Sequence, residues 1–290
     1  MPTVSQPLQR SVLGNLTRIA AGGQGIVYTA PGIRTTVSEK MVFKEYKPPF
    51  QAQLDVAALA AMPRFLTALP ATAAHRLISI AAWNCGLVED NGKVVGFVMP
   101  RIPDQFTWTM TFPGGPKTKT TELQHLLNHP DMLYNWGHVI SLIERLGLIR
   151  SFATNLTFMH QIGIVVGDLS PKNLLFSFAG GSAQTYFIDT DAMIVNGRTA
   201  LPPVETPGWS VPPGEPPATA QADTYKLALI ALRLLTADQE SKSPQTIPTF
   251  TPPLLRQLIT DTLTAAPHAR PAPATWVQVL DAVARTVTRA

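Results

Sequence analysis

Apolar and polar positions change period along the chain: short β-type runs fill the first third, and three- and four-residue spacing takes over later. "GIVYTA" and "MVFKEY" are runs of β-formers. "WNCGLVEDNGKVVGFVMPRI" reads as two strands joined across Asn91-Gly92, a pair suited to a two-residue hairpin turn. Between these runs, Leu54, Ala58, Ala61 and Phe65 fall at helical spacing and predict one helix over 51 to 68. From about residue 120 the pattern is mostly helical. Leu142, Leu146, Ile149, Phe152, Leu156 and Met159 form one stripe, predicting a long amphipathic helix over 136 to 161. The run "DTYKLALIALRLL" is apolar almost all round, which predicts a helix buried at the centre of its lobe, whereas "ATWVQVLDAVARTV" reads as a surface helix.

Proline punctuates the helical part. "LPPVETPGWSVPPGEPPA" at 201 to 218 and "SPQTIPTFTPPLL" at 243 to 255 predict irregular loops, because proline fixes φ and removes a backbone donor. No internal repeat or low-complexity tract interrupts the pattern. The expected class is therefore α+β and bilobal: an N-terminal extension over 1 to 13, a β-rich lobe with one helix over 14 to 102, and a mostly helical lobe over 103 to 290. The boundary falls at "MPRIP".

Composition narrows the function classes. Charged residues make up 14% of the 290 and apolar residues 45%, which is ample material for a core. The net charge of +4 is scattered, without the basic runs or aromatic signatures of a nucleic-acid binder. Cys85 is the only cysteine, so no disulfide framework or multi-cysteine metal site can form, and a reducing compartment is expected. With no signal-type N-terminus and no apolar run of membrane-spanning length, a soluble cytoplasmic protein is expected.

Three stretches carry candidate chemistry. Gly22, Gly23 and Gly25 in "IAAGGQGIVYTA" either let the backbone approach a phosphate or make a flexible hairpin turn. Lys44 in "MVFKEYK" either points into a cleft to meet a phosphate or faces water from an edge strand. "GIVVGDLSPKNLLF" sets Asp168 and Asn173 in one short polar loop. A loop acid can accept the proton of a substrate hydroxyl, while an amide oxygen and a second acid hold a divalent cation on phosphates. "LLFSF", "AGGSA" and "TYFIDTD" then read as strand, turn and strand, a hairpin expected to bring Asp189 back beside Asn173.

The order of these parts, with "TPGW", a buried helix starting at Asp223 and a late "ARP", resembles the protein kinase fold over about residues 14 to 288. More narrowly, "GGQGIVY", "VVGFVMPRI", "VVGDLSPKNLLF", "FIDTDAM" and "TPGWSVPP" are similar to a bacterial branch of kinase-like proteins, some encoded beside phosphatase and von Willebrand-type partners. The resemblance implies ATP and Mg²⁺ as cofactors and a protein hydroxyl as acceptor, while the scattered charge and the hydropathy lead to the expectation of neither nucleic acid nor membrane as partner. It implies that Gly22, Gly23, Gly25 and Val27 lie against the nucleotide and that Lys44 contacts its α and β phosphates. Met99 becomes the gatekeeper, and Pro100, Arg101 and Ile102 the hinge that meets adenine through the backbone. Asp168 becomes the catalytic base, Lys172 a cation for the transferring phosphate, Asn173 and Asp189 the Mg²⁺ ligands, and Asp223 the acid that braces the catalytic loop.

The chain also departs from that pattern. Ala20 replaces the first loop glycine, and Ser170 stands where a lysine is usual. Val166 and Gly167 replace the His and Arg before the base, so switching by a phosphorylated loop is not expected and Thr190, Thr199, Thr206 and Ser210 read as incidental. No Glu occurs between Glu45 and Glu89, leaving Asp55 as either the partner of Lys44 or a solvated acid. Asp189-Thr190-Asp191 replaces Asp-Phe-Gly, with Asp189 keeping the ligand role and Asp191 expected to face water. Glu215 is a displaced candidate for an ion pair with Arg270, while His160 and Cys85 read as packing residues. The expected function is protein phosphorylation; the alternative is a pseudokinase acting as a scaffold. A small-molecule phosphotransferase is disfavoured by "ETPGW", which in protein kinases forms a peptide shelf.

Overall fold

The strand signals of the first third meet in one sheet of the computed structural model, which describes residues 6–36, 38–202 and 205–287. Of the stretches read above, residues 1–5, 37, 203–204 and 288–290 lie outside the described residues. The chain is α+β, β-rich in its N-terminal region and helical in its C-terminal part. It divides into two compact units. The first comprises the described residues of Met1–Ile102 and Phe187–Pro203, the second those of Pro103–Tyr186 and Val204–Ala290.

In the first unit, β1 (Leu8–Gln9), β2 (Arg18–Ala21), β3 (Gly25–Thr29), β4 (Met41–Tyr46), β5 (Gly86–Asp90) and β6 (Lys93–Pro100) form a six-stranded sheet. Its order is β1-β5-β6-β4-β3-β2, antiparallel except for the β1–β5 pair. The β5–β6 hairpin turns on Asn91 and Gly92 with φ of 50° and 74°, the left-handed pair that lets a two-residue turn follow strand twist. Leu13, Met41, Phe43, Val88 and Val98 build a core against this sheet. Leu13 and β1 come from the stretch read as an extension, so that stretch belongs to the sheet unit. Alternation along β4 sends Lys44 and Tyr46 to the opposite side from Phe43, and all three are buried.

The helix predicted over 51 to 68 is α2 (Val56–Ala68), starting later than expected, and two helices that were not predicted flank it, α1 (Pro48–Gln51) and α3 (Ala71–Ile80). The break before α2 is made by Asp55, whose side chain accepts the Ala58 N–H at 2.9 Å and caps the helix. Trp83 and Asn84 pin α2 from the sheet side by donating to the carbonyls of Met62 and Leu59. The stretch from Phe187 joins this unit through backbone and hydroxyl bonds: Ala82 N–H to Phe187 O, Thr190 Oγ1 to Ala82 O, and Asp55 N–H to Ala200 O. The sequence reading placed that stretch in the helical lobe.

In the second unit a hairpin of β7 (Thr107–Phe112) and β8 (Gly115–Thr120) precedes the helices. After α4 (Pro130–Asn135), α5 runs over Leu142–Gln161 rather than from 136, because Ser141 and Glu144 form a capping box at its start. Next come β9 (Ile164–Val165) and the hairpin of β10 (Leu174–Ser177) with β11 (Gln184–Phe187). Then follow α6 (Ala220–Thr236), α7 (Pro253–Thr264) and α8 (Pro273–Val287). Every side chain of α6 from Ala222 to Leu235 is buried, as its all-round apolar pattern predicts. The end of the second proline-rich stretch is helix, not loop: Pro253 sits at the first turn of α7, where its missing N–H costs nothing. Trp276, Leu280 and Val283 of α8 are buried, and the helix packs on α5. Among the described residues, no helix is long and apolar enough to cross a membrane.

Candidate functional site

The candidate residues of the first unit gather on β4. Lys44 lies across from Val27 on β3 and Phe97 on β6 and is 4% exposed. A lysine in that setting needs a counter-charge. Asp191 provides it with both oxygens, at 2.7 and 2.9 Å from Nζ, and Asp189 adds one at 3.1 Å. The Tyr46 hydroxyl donates to Asp191 Oδ2 at 2.7 Å, so this carboxylate is fully engaged at 0% exposure. The sequence reading of Asp191 as a water-facing acid is therefore corrected. The turn begun by Asp189 in a left-handed conformation, φ 53°, carries the chain from Asp189 to Asp191.

Asp55 does not pair with Lys44; it is a half-exposed acid, but a committed one. Besides capping α2, it accepts from Arg198 Nη2 at 2.7 Å, which clamps the 187–203 stretch to the start of α2. The Ala58 N–H and then Arg198 hold its carboxyl below the usual carboxylate range. Burial alone would lower the Lys44 ammonium, but the Asp191 and Asp189 carboxylates outweigh it and raise it above its ordinary value. Burial first and Asp191 second push the Tyr46 phenol well above its usual value. Burial pushes the Cys85 thiol up to about 12, which keeps it protonated and suits the packing role.

The glycines separate into two kinds. A Cβ on Gly25 would meet the Glu45 carbonyl oxygen at 2.6 Å, so strand packing alone demands glycine there. Gly22 and Gly23 are not left-handed, and an added Cβ would meet nothing closer than 4.0 Å. Their turn is closed by Gly22 N–H to Gly25 O at 2.9 Å and by Lys47 Nζ to Gly22 O at 2.6 Å. Met99 is half-buried on β6 across from Val42, and Ile102 is half-buried where the unit ends. The Arg101 N–H donates to Lys40 O at 2.9 Å, so of the implied adenine contacts that donor is already committed.

In the second unit the loop after β9 is built on α6. Asp223 in the first turn of α6 accepts from Val166 N–H at 2.8 Å, Gly167 N–H at 2.9 Å and His160 Nε2 at 3.0 Å. One turn further, Lys226 donates to Gly167 O at 2.9 Å and pairs with Glu205 at 3.3 Å. The peptide of residue 167 is thus held at both ends by one helix face, in a left-handed conformation (φ 73°) that suits glycine where the resemblance expects arginine.

That brace presents Asp168. Its Oδ2 accepts from Asn173 Nδ2 at 3.2 Å, and the same amide donates to Asp168 O at 3.0 Å. Its Oδ1 accepts from the Thr206 hydroxyl at 3.1 Å. Thr206, read as incidental, is a direct partner of the candidate base; the "TPGW" segment that holds it was the available signal. Thr190 and Thr199 are likewise bonded, to the Ala82 and Ala192 carbonyls. Lys172 is exposed, and Glu215 pairs with Arg270 at 2.6 Å.

The residues implied as Mg²⁺ ligands suit a hard cation. Both bonds of the Asn173 side chain use Nδ2, leaving the Oδ1 that a cation takes. Asp189 has a half-exposed carboxylate with one oxygen on Lys44. Among the described residues, no group of three or more His, Cys, Asp or Glu side chains gathers to hold a metal alone. Asn173 belongs to the second unit and Asp189 to the first. No protein-family model matches the chain, and no curated protein matches it.

Proposed function

We propose that the chain is an ATP-dependent phosphotransferase of protein kinase type, with a bilobal kinase-like fold. It transfers the γ-phosphoryl group of ATP to a Ser, Thr or Tyr hydroxyl of a protein. The observation that carries this reading is the hydroxyl of Thr206 on Asp168: the braced carboxylate already accepts a hydrogen bond from an alcohol at 3.1 Å. An acceptor hydroxyl in that place gives its proton to Asp168 as its oxygen bonds to the γ-phosphorus, and the bond to the β-phosphate oxygen breaks, releasing ADP. Lys44, fixed by Asp191, supplies positive charge to the phosphates. Mg²⁺ would neutralise charge on the phosphate oxygens, and the Asn173 amide oxygen and the Asp189 carboxylate are each a donor suited to it. Gly22 and Gly23 support the same reading, since neither crowding nor a left-handed φ explains them locally.

A second reading, a pseudokinase scaffold, draws on the 3.1 Å pair of Lys44 with Asp189, in which the phosphate-binding cation and a metal ligand satisfy each other. Thermal-shift titration with ATP and Mg²⁺, followed by phosphate incorporation in wild type and Asp168→Asn, separates the two. Transfer abolished in the variant supports the kinase. Transfer that persists sinks the assignment of Asp168, and nucleotide binding without transfer in wild type establishes the scaffold.

A further inference from the structure

The second unit contains a cavity of about 640 Å³, and none of its lining residues belongs to the loop of Asp168. That volume is in the range of small-molecule sites, roughly 300–1,000 Å³. Leu133 and Leu235 give it a buried apolar floor. Its lip is apolar and open to water: Tyr134 is 73% exposed, Val139 77% and Phe250 60%. Large apolar side chains rimming a concavity mark a place where something binds.

His129, Asp131, His138 and Thr236 also line it, and the buried charged group in its wall is Arg145, 8% exposed. Its Nη1 donates to the carbonyls of Leu126 and Leu234, and among the described residues no carboxylate lies within ion-pair distance of it. Its neighbour Glu144 is turned into the capping box, accepting from Ser141 N–H and Oγ. Asp131 at the rim is exposed and paired with His129. Burial lowers the Arg145 guanidinium below its ordinary range. Sealing the end of α6 through Leu234 explains one bond of this side chain. It explains neither a guanidinium whose nearest acid, Glu144, acts on it only at a distance nor the exposed apolar lip.

We propose that this cavity binds a small amphipathic carboxylate. Its acid group would lie on the Arg145 guanidinium, which matches a carboxylate in shape and charge, and its aliphatic or aromatic body on the floor and lip. The site is independent of phosphotransfer.

Titration of the full chain with 3-phenylpropanoate, 4-phenylbutanoate and 5-phenylpentanoate, each beside the alcohol of equal length, tests it by calorimetry and thermal shift. The acids should bind about tenfold or more tightly than the alcohols. Val139→Glu places a like charge on a lip position that is 77% exposed, where substitution should leave folding intact, and it should weaken the acids while sparing the alcohols. Tyr134→Ala with Phe250→Ala should weaken both. The proposal is overturned if acids and alcohols bind alike, if neither binds at millimolar concentration, or if Val139→Glu leaves acid binding unchanged.

Discussion

Two irregular stretches carry the candidate chemistry, and they are held by different physics. In the second unit the loop of Asp168 is fixed through neutral backbone groups: Asp223 takes two N–H groups and Lys226 takes a carbonyl, all from one buried helix. In the first unit the stretch after Phe187 is fixed largely by charge, through the buried contact of Lys44 with Asp191. A carboxylate that receives backbone donors can be lost with water entering in its place. A carboxylate that balances a buried ammonium cannot, because the cation is left in an apolar site. The first unit should therefore be the more fragile to a single substitution.

The largest effect expected follows directly. Asp191→Ala should destabilise the protein by about 3–5 kcal/mol, the cost of leaving one partner of a buried ion pair. Asp191→Asn, which keeps the shape and the Tyr46 bond, should lose less stability yet, under the proposed kinase reading, still raise KM for ATP, since Lys44 loses the group that aims it. Urea unfolding and ATP kinetics on the two variants read the two quantities separately. A milder loss for Asp191→Ala than for Asp223→Ala would reverse the ranking.

The same cluster sets a pH limit. Lys44 and Tyr46 both hold their protons above their ordinary values of 10.5 and 10.0. The unfolded chain thus releases these protons first as pH rises, so the stabilisation is complete below about pH 10 and declines above it. Urea midpoints at pH 9 and pH 11 should show the decline, and Tyr46→Phe should reduce it. A Tyr46→Phe protein with the wild-type slope would remove Tyr46 from the account.

The second brace ranks lower. Asp223→Ala strips the acceptor from Val166 and Gly167, and each N–H left without a partner costs about 1–3 kcal/mol, less if water reaches it. Under the proposed kinase reading its effect on phosphotransfer should exceed its effect on stability, because the loop that aims Asp168 loosens. Comparing kcat for Asp223→Ala with that for Lys226→Met decides whether one end of the residue-167 peptide suffices.

Part of this contrast was legible in the sequence. The all-apolar run of α6 and the Asn91-Gly92 turn are local patterns whose physics needs no partner, whereas Lys44, Asp168 and Asn173 take their roles from the order of motifs in the resemblance. Asp191 was not legible, because its burial depends on a lysine far away in the chain that no periodicity links to it. The cap role of Asp55 was missed for a related reason: a single acid before an apolar run signals a helix cap as strongly as an ion-pair partner, and the cap won. The proline-rich stretch masked the start of α7, since the same residue that breaks a helix interior also begins one. The alternation Thr-Trp-Thr-Met-Thr-Phe held the signal for β7, and the reading left it unassigned.

The smallest effect expected tests the charged brace at its exposed edge. Asp55 and Arg198 have half-exposed side chains, so solvent and salt screen their attraction and the pair itself adds little. Arg198→Ala removes only the ion pair, whereas Asp55→Ala also removes the acceptor of the Ala58 N–H that starts α2. Asp55→Ala should therefore be the more harmful of the two, and added salt should weaken wild type slightly while leaving Arg198→Ala unaffected. Equal losses from both substitutions would mean that the clamp, not the cap, is what residue 55 contributes. Because the carboxyl is held below its usual range, its contribution is present above that range and lost as pH falls through it, opposite to the alkaline limit set by Lys44 and Tyr46.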